Sequence, residues 1–321
     1  MQYTLYDFLK EWNDSSETVT LKTSGSTGKP KNIELKKSAM VASALRTCDF
    51  LGLRKGDTAL LCLPLEYIAG KMMAVRAIIR DLSLISVTAS GHPLKGQNHS
   101  FDFVAMTPMQ VYNSLQDEEE ERVLRKIRHL IIGGGHIDEE LEERLRAFPN
   151  AVWSTYGMTE TLSHVAMRRL NGDNYSQWYQ PLKDVVVDVN IDGCLVVHDK
   201  LTSIGPLHTN DLAEMNIMDR SFRITGRFDN VICCGGLKFQ IEEIETEIKS
   251  HINIPFIISK RRDNKFGYVP VLVMQSVNED DLRKVKLICE NVLPKYKRPK
   301  EYILSETLPM TETGKPKRLL S

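Results

Sequence analysis

Short apolar runs typical of strands alternate with helical patterns from about residue 58, and this alternation restricts the possible folds more than any other feature. The helical patterns cover Tyr67–Arg80, Met109–Leu115 and Glu139–Phe148. Such alternation predicts a mostly parallel sheet flanked by helices, because parallel neighbours need a long crossover connection. The strand-type runs are Ala59–Leu63, Leu84–Thr88, Phe103–Met106, Leu130–Ile132 and Val152–Thr155.

Three polar motifs fall at or just after the ends of these runs. They are Pro64–Gly70, Gly133–Gly135 and Thr155–Glu160. In open α/β sheets, ligands bind beyond the carboxyl ends of the strands. We therefore expect the functional site at that edge of the sheet.

The pattern changes twice after this region. Residues 184–226 contain strand-type runs with an Asp-Gly turn, and residues after Arg227 mix new helices and strands. We predict the α/β class, with a large N-terminal domain of residues 1–227 that has a mostly parallel helix-flanked sheet and a small β-rich subdomain. A small α+β C-terminal domain, residues 228–321, follows, and we expect it to be mobile.

Charge and cysteine usage narrow the functional classes. Lys and Arg total 42, as do Asp and Glu, which argues against a nucleic-acid partner. No apolar stretch approaches the ~20 residues of a membrane-spanning helix, so we expect no membrane insertion. The six cysteines form no CxxC pair, which is typical of reduced thiols. These features predict a cytoplasmic protein.

A loop rich in glycine, hydroxyl and lysine side chains, TSGSTGKPK, spans Thr23–Lys31. It is not a Walker A loop, because its glycines are only three positions apart and both flanks, ETVTLK and NIEL, have strand character. Its backbone N–H groups, hydroxyls and lysines suit phosphate binding, although a flexible polar surface loop would have the same composition. The candidate phosphate-binding residues are Thr23, Ser24, Gly25, Ser26, Thr27, Gly28, Lys29 and Lys31.

This loop resembles the phosphate loop of the adenylate-forming (AMP-binding) enzymes, the superfamily of acyl- and aryl-CoA ligases. Further motifs of that superfamily follow in the same order as in the superfamily. They are STYGMTE (Ser154–Glu160), HTNDLAE (His208–Glu214), the hinge-type segment Gly226–Glu245 and the lysine-containing segment Leu293–Arg318. In HTNDLAE, Asn210 replaces the glycine that usually precedes the aspartate.

Within the superfamily, two stretches resemble the o-succinylbenzoate–CoA ligases of menaquinone biosynthesis. They are LPLEYIAGKMMAVRA (Leu63–Ala77) and GMTETLSH (Gly157–His164). The aromatic-histidine pair expected after LPL is Glu66–Tyr67 here, so part of the acyl pocket is expected to differ. Family members usually carry well over a hundred residues ahead of the phosphate loop, where this chain has about twenty, so we expect a shortened N-terminal subdomain.

The resemblance implies an acid–thiol ligase reaction with ATP, Mg²⁺ and coenzyme A. A carboxylate attacks the α-phosphate of ATP to give an acyl-adenylate, and the CoA thiol then displaces AMP. The implied catalytic residues are Thr159, which donates to phosphate, Glu160, which binds Mg²⁺, and Lys315, which bridges the acyl carboxylate and the α-phosphate. A solubilising tail is the alternative interpretation of Lys315.

The resemblance also implies contacts to the nucleotide and to CoA. Tyr156 would stack on adenine, unless it is only a core tyrosine, and Asp211 would accept from the ribose hydroxyls, unless it only forms a turn. Arg227 would reach the nucleotide and Asp229 would be the hinge. The glycines expected near the nucleotide are Gly133, Gly134, Gly135 and Gly157. A turn at the end of a strand would explain the first three glycines almost as well. Gly235 and Gly236 would line a pantetheine tunnel.

Arg76 is the candidate for substrate selection. o-Succinylbenzoate has a second, aromatic carboxylate, which a guanidinium can bind in a bidentate manner. A surface arginine with a buried stem is the alternative, because an apolar helical stretch precedes Arg76. Ser163 and His164 are further candidates for contacts to the succinyl part.

Two other functions stay open at this stage. The chain could adenylate a different acid, or transfer it to a carrier-protein thiol. It could also be a non-catalytic paralogue that binds nucleotide. A homodimer is a further expectation, because oligomerisation could cover sheet exposed by the short N-terminus.

Overall fold

In the computed structural model, the described residues are 3–22, 32–201, 205–234, 236–310 and 316–320. They form two compact units. The first contains the described residues up to Thr209 together with Glu214–Arg223, and the second contains Asn210–Ala213 and the described residues from Ile224 onward. The domain division between residues 227 and 228 stays a prediction.

The described residues form both helices and strands along the whole chain. The helices are α1 (Leu5–Trp12), α2 (Lys37–Leu51), α3 (Ile68–Arg80), α4 (Pro108–Ser114), α5 (Glu118–Leu124), α6 (Glu139–Arg146), α7 (Ile241–Lys249) and α8 (Glu279–Val292). The strands of the first half are β1 (Thr18–Lys22), β2 (Asn32–Lys36), β3 (Thr58–Leu61), β4 (Ser83–Ser86), β5 (Phe103–Met106), β6 (His129–Ile132), β7 (Ala151–Gly157), β8 (His164–Arg169) and β9 (Gln180–Pro181). The remaining strands are β10 (Val185–Val189), β11 (Cys194–Asp199), β12 (Leu207–Met215), β13 (Phe222–Arg227), β14 (Val231–Cys234), β15 (Leu237–Gln240), β16 (Phe256–Asp263), β17 (Gly267–Gln275), β18 (Glu301–Ser305) and β19 (Leu319–Leu320).

The central feature of the first unit is a seven-stranded sheet with the order β4-β3-β5-β6-β7-β8-β9. Strands β4, β3, β5, β6 and β7 run parallel, and β8 and β9 complete the sheet in antiparallel pairings. Their apolar side chains, such as Leu60, Val104 and Leu130, pack with residues from α4 and α6 into one buried cluster. The predicted parallel, helix-flanked sheet is therefore confirmed.

A buried ion pair fixes helix α1 on helix α3. The side chain of Lys71 is 3% exposed, and its Nζ lies 2.8 Å from a Glu11 carboxylate oxygen and 3.2 Å from the Tyr3 hydroxyl. The same Nζ lies 5.0 Å from the centre of the Phe8 ring. A buried lysine needs such partners, because an unpaired charge in an apolar interior is costly. The described N-terminal segment from Tyr3 to the end of α1 is therefore part of the packed unit.

Two smaller sheets lie in regions where the sequence predicted strands. Strands β1 and β2 pair in antiparallel register, so the strand character predicted for both flanks of the glycine-rich loop is confirmed. A four-stranded sheet has the order β10-β11-β12-β13. The Asp-Gly turn predicted between β10 and β11 is present, with Gly193 at a φ of 81° that favours glycine.

The second unit contains a six-stranded sheet with the order β15-β14-β17-β16-β19, in which β18 also pairs with β17. Residues of α7 and α8, including Ile244 and Val285, pack with the strands into a separate core. The C-terminal strand is fixed by Arg318, which forms an ion pair with Glu245 and donates to the Ile258 carbonyl at 2.8 Å. No helix in the described ranges is both long and apolar enough to cross a membrane.

Gly70 in helix α3 offers a direct test of this packing. A Cβ added there would lie 2.2 Å from the carbonyl oxygen of Pro64, so the Gly70→Ala substitution forces a backbone shift. We expect a loss of about 1–3 kcal/mol in the free energy of unfolding, measured by urea titration.

The matched control is Gly205→Ala, where an added Cβ meets no atom within 4 Å. This control should change the free energy of unfolding by no more than about 0.5 kcal/mol. Equal stability of the Gly70→Ala variant and the unchanged protein would contradict the close packing of α3 on the Leu63–Pro64 backbone.

Candidate active site

Arg76 lies in helix α3 and is buried, with 2% of its surface exposed. Its Nη2 donates to the Ser163 hydroxyl at 2.5 Å, and its Nε has no hydrogen-bond partner. Burial lowers the pKa of the guanidinium to about 10, and among the described residues no carboxylate forms an ion pair with it. The surface-arginine interpretation is therefore wrong: this is a buried cation without a counter-charge, which is costly unless an anion binds.

Ser163 and His164 lie at the start of β8, beside Arg76. The His164 ring has its Nδ1 3.4 Å from the Ser163 hydroxyl and its Nε2 3.0 Å from the hydroxyl of Thr47 on helix α2. Burial, reinforced by the positive charges of Arg76 and Arg46, holds the pKa of His164 well below its usual value. The imidazole is therefore neutral near pH 7, and Arg76 supplies the positive charge of this group of side chains.

The glycines that follow β6 are explained in part by packing. A Cβ on Gly133 would lie 2.3 Å from the hydroxyl oxygen of Thr155 on the neighbouring strand β7. That hydroxyl donates to the Ile132 carbonyl at 3.2 Å. Gly134 has a φ of 80°, and Gly135 would tolerate a side chain against Pro108 at ordinary contact distance. Close packing accounts for Gly133 and the positive φ for Gly134 without a ligand, so their nucleotide contacts stay a prediction.

The segment from Tyr156 to Glu160 forms the end of β7 and the turn after it. A register shift between Tyr156 and Gly157 interrupts the pairing with β8, and such bulges redirect side chains at the edge of a sheet. Tyr156 is half-buried and meets the Phe222 ring edge-on, with 5.2 Å between the ring centres. Thr159 begins a single 3₁₀ turn, in which Glu160 is exposed.

The chain is held in an unusual conformation between this turn and His164. Leu162 is buried and has a φ of 62°, which is rare for a residue other than glycine. A Cβ on Gly157 would lie 2.4 Å from the Ser163 carbonyl oxygen, so only glycine fits beside that turn. Strain of this kind is often found where a functional site needs fixed side chains.

Glu160 is the candidate metal ligand, and its environment fits that role. Its carboxylate is exposed at the end of β7, where it can reach a bound ion. Among the residues that the structure describes, no group of three or more His, Cys, Asp or Glu side chains could hold a metal ion. Mg²⁺ does not require such a group, because it commonly uses one or two carboxylates, water and substrate phosphates.

Three of the predicted nucleotide and hinge residues meet in the second unit. Arg227 Nη1 lies 3.1 Å from a carboxylate oxygen of Asp211, and its Nε and Nη2 lie 2.9 and 3.1 Å from the two oxygens of Asp229. Arg227 and Asp229 are about half exposed, so these pairs add little to stability. Gly236 has a φ of 88°, which explains the glycine without a ligand.

Several predicted site residues lie outside the described residues. They are the loop residues Thr23–Lys31, together with Gly235 and Lys315. The segment after Lys315 is described: Pro316 pairs with Met310, and the Lys317 backbone N–H donates to the Pro309 carbonyl at 2.8 Å.

Sequence reasoning missed three residues near Arg76. Thr47 contacts His164 across 117 positions of sequence, and Arg46 forms a bidentate ion pair with Asp199 at 2.8 and 3.0 Å. No local motif marks these residues, because each depends on how helix α2 packs. The pairing of Arg46 explains why its charge, unlike that of Arg76, is not available to a ligand.

Glu66 stands where the o-succinylbenzoate–CoA ligases have part of an aromatic-histidine pair, and here it contacts Tyr3. Its Oε1 accepts from the Tyr3 backbone N–H at 3.3 Å. Glu66 and Tyr3 line a cavity of about 240 Å³ at the carboxyl ends of β3 and β4, together with residues such as Pro64 and Val87. This region therefore differs in composition from the expected acyl pocket.

Comparison with known proteins identifies the family to which this chain is similar. Residues 10–196 match the model of the AMP-binding enzyme family. A 2-succinylbenzoate–CoA ligase from Listeria monocytogenes is 25% identical over 97% of this chain and 71% of its own length. These matches agree with the resemblance described from the sequence.

Solved structures agree with these matches. An AMP-forming acyl-CoA synthetase/AMP-acid ligase II-like protein from Dyadobacter fermentans is 33% identical, with a TM-score of 0.67 over 97% of this chain and 90% of its own. The o-succinylbenzoate–CoA synthetase from Bacillus subtilis, in complex with ATP and magnesium ion, has a TM-score of 0.75 and 22% identity over 93% of this chain and 68% of its own. The resemblance noted in the sequence is thus confirmed, and the chain belongs to the AMP-binding enzyme family.

Proposed function

We propose that this protein is an AMP-forming acid–CoA ligase and that its acid is o-succinylbenzoate, an intermediate of menaquinone biosynthesis. The acid carboxylate would attack the α-phosphorus of ATP, with pyrophosphate as the leaving group. The CoA thiol would then attack the acyl carbonyl, with AMP as the leaving group. A cytoplasmic location is part of this proposal, and a homodimer stays a prediction.

The buried guanidinium of Arg76 is the observation that carries the choice of acid. An acid–CoA ligase that takes a simple monocarboxylate has no use for a second anion-binding group in its acyl site. o-Succinylbenzoate has one carboxylate to activate and another on its ring, and a guanidinium binds a carboxylate through two parallel hydrogen bonds. The 2-succinylbenzoate–CoA ligase from Listeria monocytogenes supports the same choice.

The first half-reaction brings an anion against a polyanion, so its catalysis depends on neutralising charge and on positioning. In our proposal, Thr159 donates to phosphate and Glu160 holds Mg²⁺ at the exposed end of β7. The bound ion would supply charge neutralisation at the phosphate oxygens. Thr23–Lys31 would surround the phosphates, and Lys315 would contact both the acid and the α-phosphate.

The remaining contacts follow from the same proposal. Tyr156 would present its ring to adenine beside Gly133–Gly135, Asp211 would accept from the ribose hydroxyls, and Arg227 would reach the nucleotide. Asp229 would be the hinge residue, since hinge positions absorb large changes in φ and ψ. Gly235 and Gly236 would border the pantetheine arm of CoA.

The direct test of this function is pyrophosphate release, with and without CoA, across a panel of acids that includes o-succinylbenzoate. We expect turnover with o-succinylbenzoate, and a loss of roughly 100-fold or more in kcat for Lys315→Ala, because that variant lacks a charge contact made in the transition state. Turnover of another acid alone would overturn the choice of substrate. ATP binding without pyrophosphate release from any acid would indicate a non-catalytic nucleotide-binding protein.

Arg76→Leu tests the carboxylate contact. We expect KM for o-succinylbenzoate to rise by about 100-fold, because removing one partner of a buried charge pair is costly, with little change in KM for ATP. The kinetic parameters would be measured by steady-state pyrophosphate release.

Arg80→Leu is the matched control for Arg76→Leu, because Arg80 lies one turn further along the same helix and is paired with Asp49. It should leave KM for o-succinylbenzoate within about twofold, as for most surface substitutions. A similar rise in both variants, or no rise in Arg76→Leu, would contradict an Arg76–carboxylate contact.

A further inference from the structure

A continuous chain of hydrogen bonds runs from helix α2 to the buried guanidinium. The Thr47 hydroxyl lies 3.2 Å from the Ser43 carbonyl oxygen and 3.0 Å from His164 Nε2. His164 Nδ1 lies 3.4 Å from the Ser163 hydroxyl, which accepts from Arg76 Nη2 at 2.5 Å. Thr47 has no exposed surface, and Ser43 has 3% exposed, so water cannot replace these partners readily.

The partners at the two ends give this chain a direction. Arg76 can only donate, so the Ser163 oxygen accepts from it and the Ser163 hydroxyl hydrogen is available to His164 Nδ1. At the other end, the Thr47 hydroxyl hydrogen points to the Ser43 carbonyl, so the Thr47 oxygen can accept from His164 Nε2–H. With the neutral Nε2–H tautomer of His164, every hydrogen that is shared along this chain of hydrogen bonds has an acceptor.

The reverse direction leaves a hydrogen unused. If His164 carried its hydrogen on Nδ1, both that nitrogen and Arg76 would donate to the Ser163 oxygen. The hydroxyl hydrogen of Ser163 would then have no acceptor within the chain of contacts that the structure describes. The first direction is favoured, because it gives the hydroxyl hydrogen of the partly buried Ser163 an acceptor, His164 Nδ1, inside the protein.

We propose that Thr47 is a positioning residue for Arg76: through His164 and Ser163, it fixes the orientation of the guanidinium and so determines the specificity for an acid with a second carboxylate. The proposal rests on the function proposed above for the choice of acid. The groups that hold Arg76 are uncharged, so they fix its orientation without cancelling its positive charge. A carboxylate in the position of Ser163 would hold the guanidinium equally well but would remove its charge from the ligand.

The same chain of hydrogen bonds leaves the buried Nε of Arg76 without a partner. Ser163 holds Nη2, and no other described residue provides a hydrogen-bond acceptor for Nε. A planar guanidinium with one nitrogen held and another without an acceptor is preorganised to bind a carboxylate. Little rotational freedom of the side chain is then lost on binding. Loss of the Thr47 hydroxyl would release His164, then Ser163, and finally this orientation.

The first experiment compares Thr47→Val and Thr47→Ser in steady-state kinetics, because valine keeps the shape of threonine and serine keeps its hydroxyl. We expect Thr47→Val to raise KM for o-succinylbenzoate by roughly 10-fold, about the effect of one buried hydrogen bond, and to leave kcat and KM for ATP nearly unchanged. Thr47→Ser should restore KM. The matched acid is 4-oxo-4-phenylbutanoate, which lacks the ring carboxylate, and its KM should not change.

Two kinetic results would overturn the proposal. One is an equal rise in KM for both acids, which would mean that Thr47 only supports the packing of α2. The other is an unchanged KM for o-succinylbenzoate in Thr47→Val.

The second experiment does not need activity. Long-range ¹H–¹⁵N NMR of protein labelled with ¹⁵N-histidine reports the tautomer of each ring, and the His164→Gln spectrum assigns His164 among the eight histidines. We expect the neutral Nε2–H tautomer in the unchanged protein and its loss or mixture in Thr47→Val. A pure Nδ1–H tautomer, or a His164 signal unaffected by Thr47→Val, would overturn the proposed chain. If no dicarboxylate is turned over, the proposed function fails, whereas this measurement still decides the role of Thr47.

Discussion

The buried, uncompensated guanidinium of Arg76 is the constraint on which the rest of this site depends. Removing an ion from water costs several kcal/mol even after the protein relaxes, and no described carboxylate offsets that cost here. Instead, the Ser163 hydroxyl accepts from the guanidinium, and the neutral imidazole of His164 lies within hydrogen-bond distance of that hydroxyl. Such an arrangement is reasonable when a ligand brings the missing negative charge, and this favours an acid with two carboxylates.

The fold places the different parts of the site at a common edge. Strands β6 and β7 are parallel neighbours, so the glycines after β6 and the Tyr156–Glu160 segment of β7 lie at the same end of the sheet. Strand β8 returns antiparallel beside β7 and brings His164 opposite Gly157. Ser163 connects this edge to Arg76 on α3. The candidate acid-binding and nucleotide-binding residues of the first unit therefore meet through short, defined contacts.

Local patterns were sufficient to predict much of this arrangement. The parallel strands follow from apolar runs of three to five residues, and the candidate hinge and ribose residues follow from motifs that are continuous in sequence. Helix α2 was not predicted, because its buried face includes the polar residues Ser43 and Thr47, which weaken its hydrophobic pattern. Strand β8 was also missed, since its histidine and its two C-terminal arginines leave only a short apolar run in the sequence.

The burial of Arg76 could not be predicted from the sequence. The stretch KMMAVRA leaves open whether an arginine at its end points to the core or to solvent, because both are compatible with a helix that has an apolar face. Only the packing of α3 against α2 and β8 decides this, through Ser163 and through the ion pair that occupies Arg46. The contact between Thr47 and His164 is likewise a property of the folded chain and has no local sequence signal.

The most direct test of this account is a crystal structure of the protein with a non-reactive sulfamoyl analogue of the o-succinylbenzoyl adenylate. The account predicts that the ring carboxylate of the analogue lies about 3 Å from nitrogen atoms of Arg76, within hydrogen-bond distance, with Nε among them. A ring carboxylate that faces solvent or contacts a different cation, with Arg76 still bound only to Ser163, would contradict it.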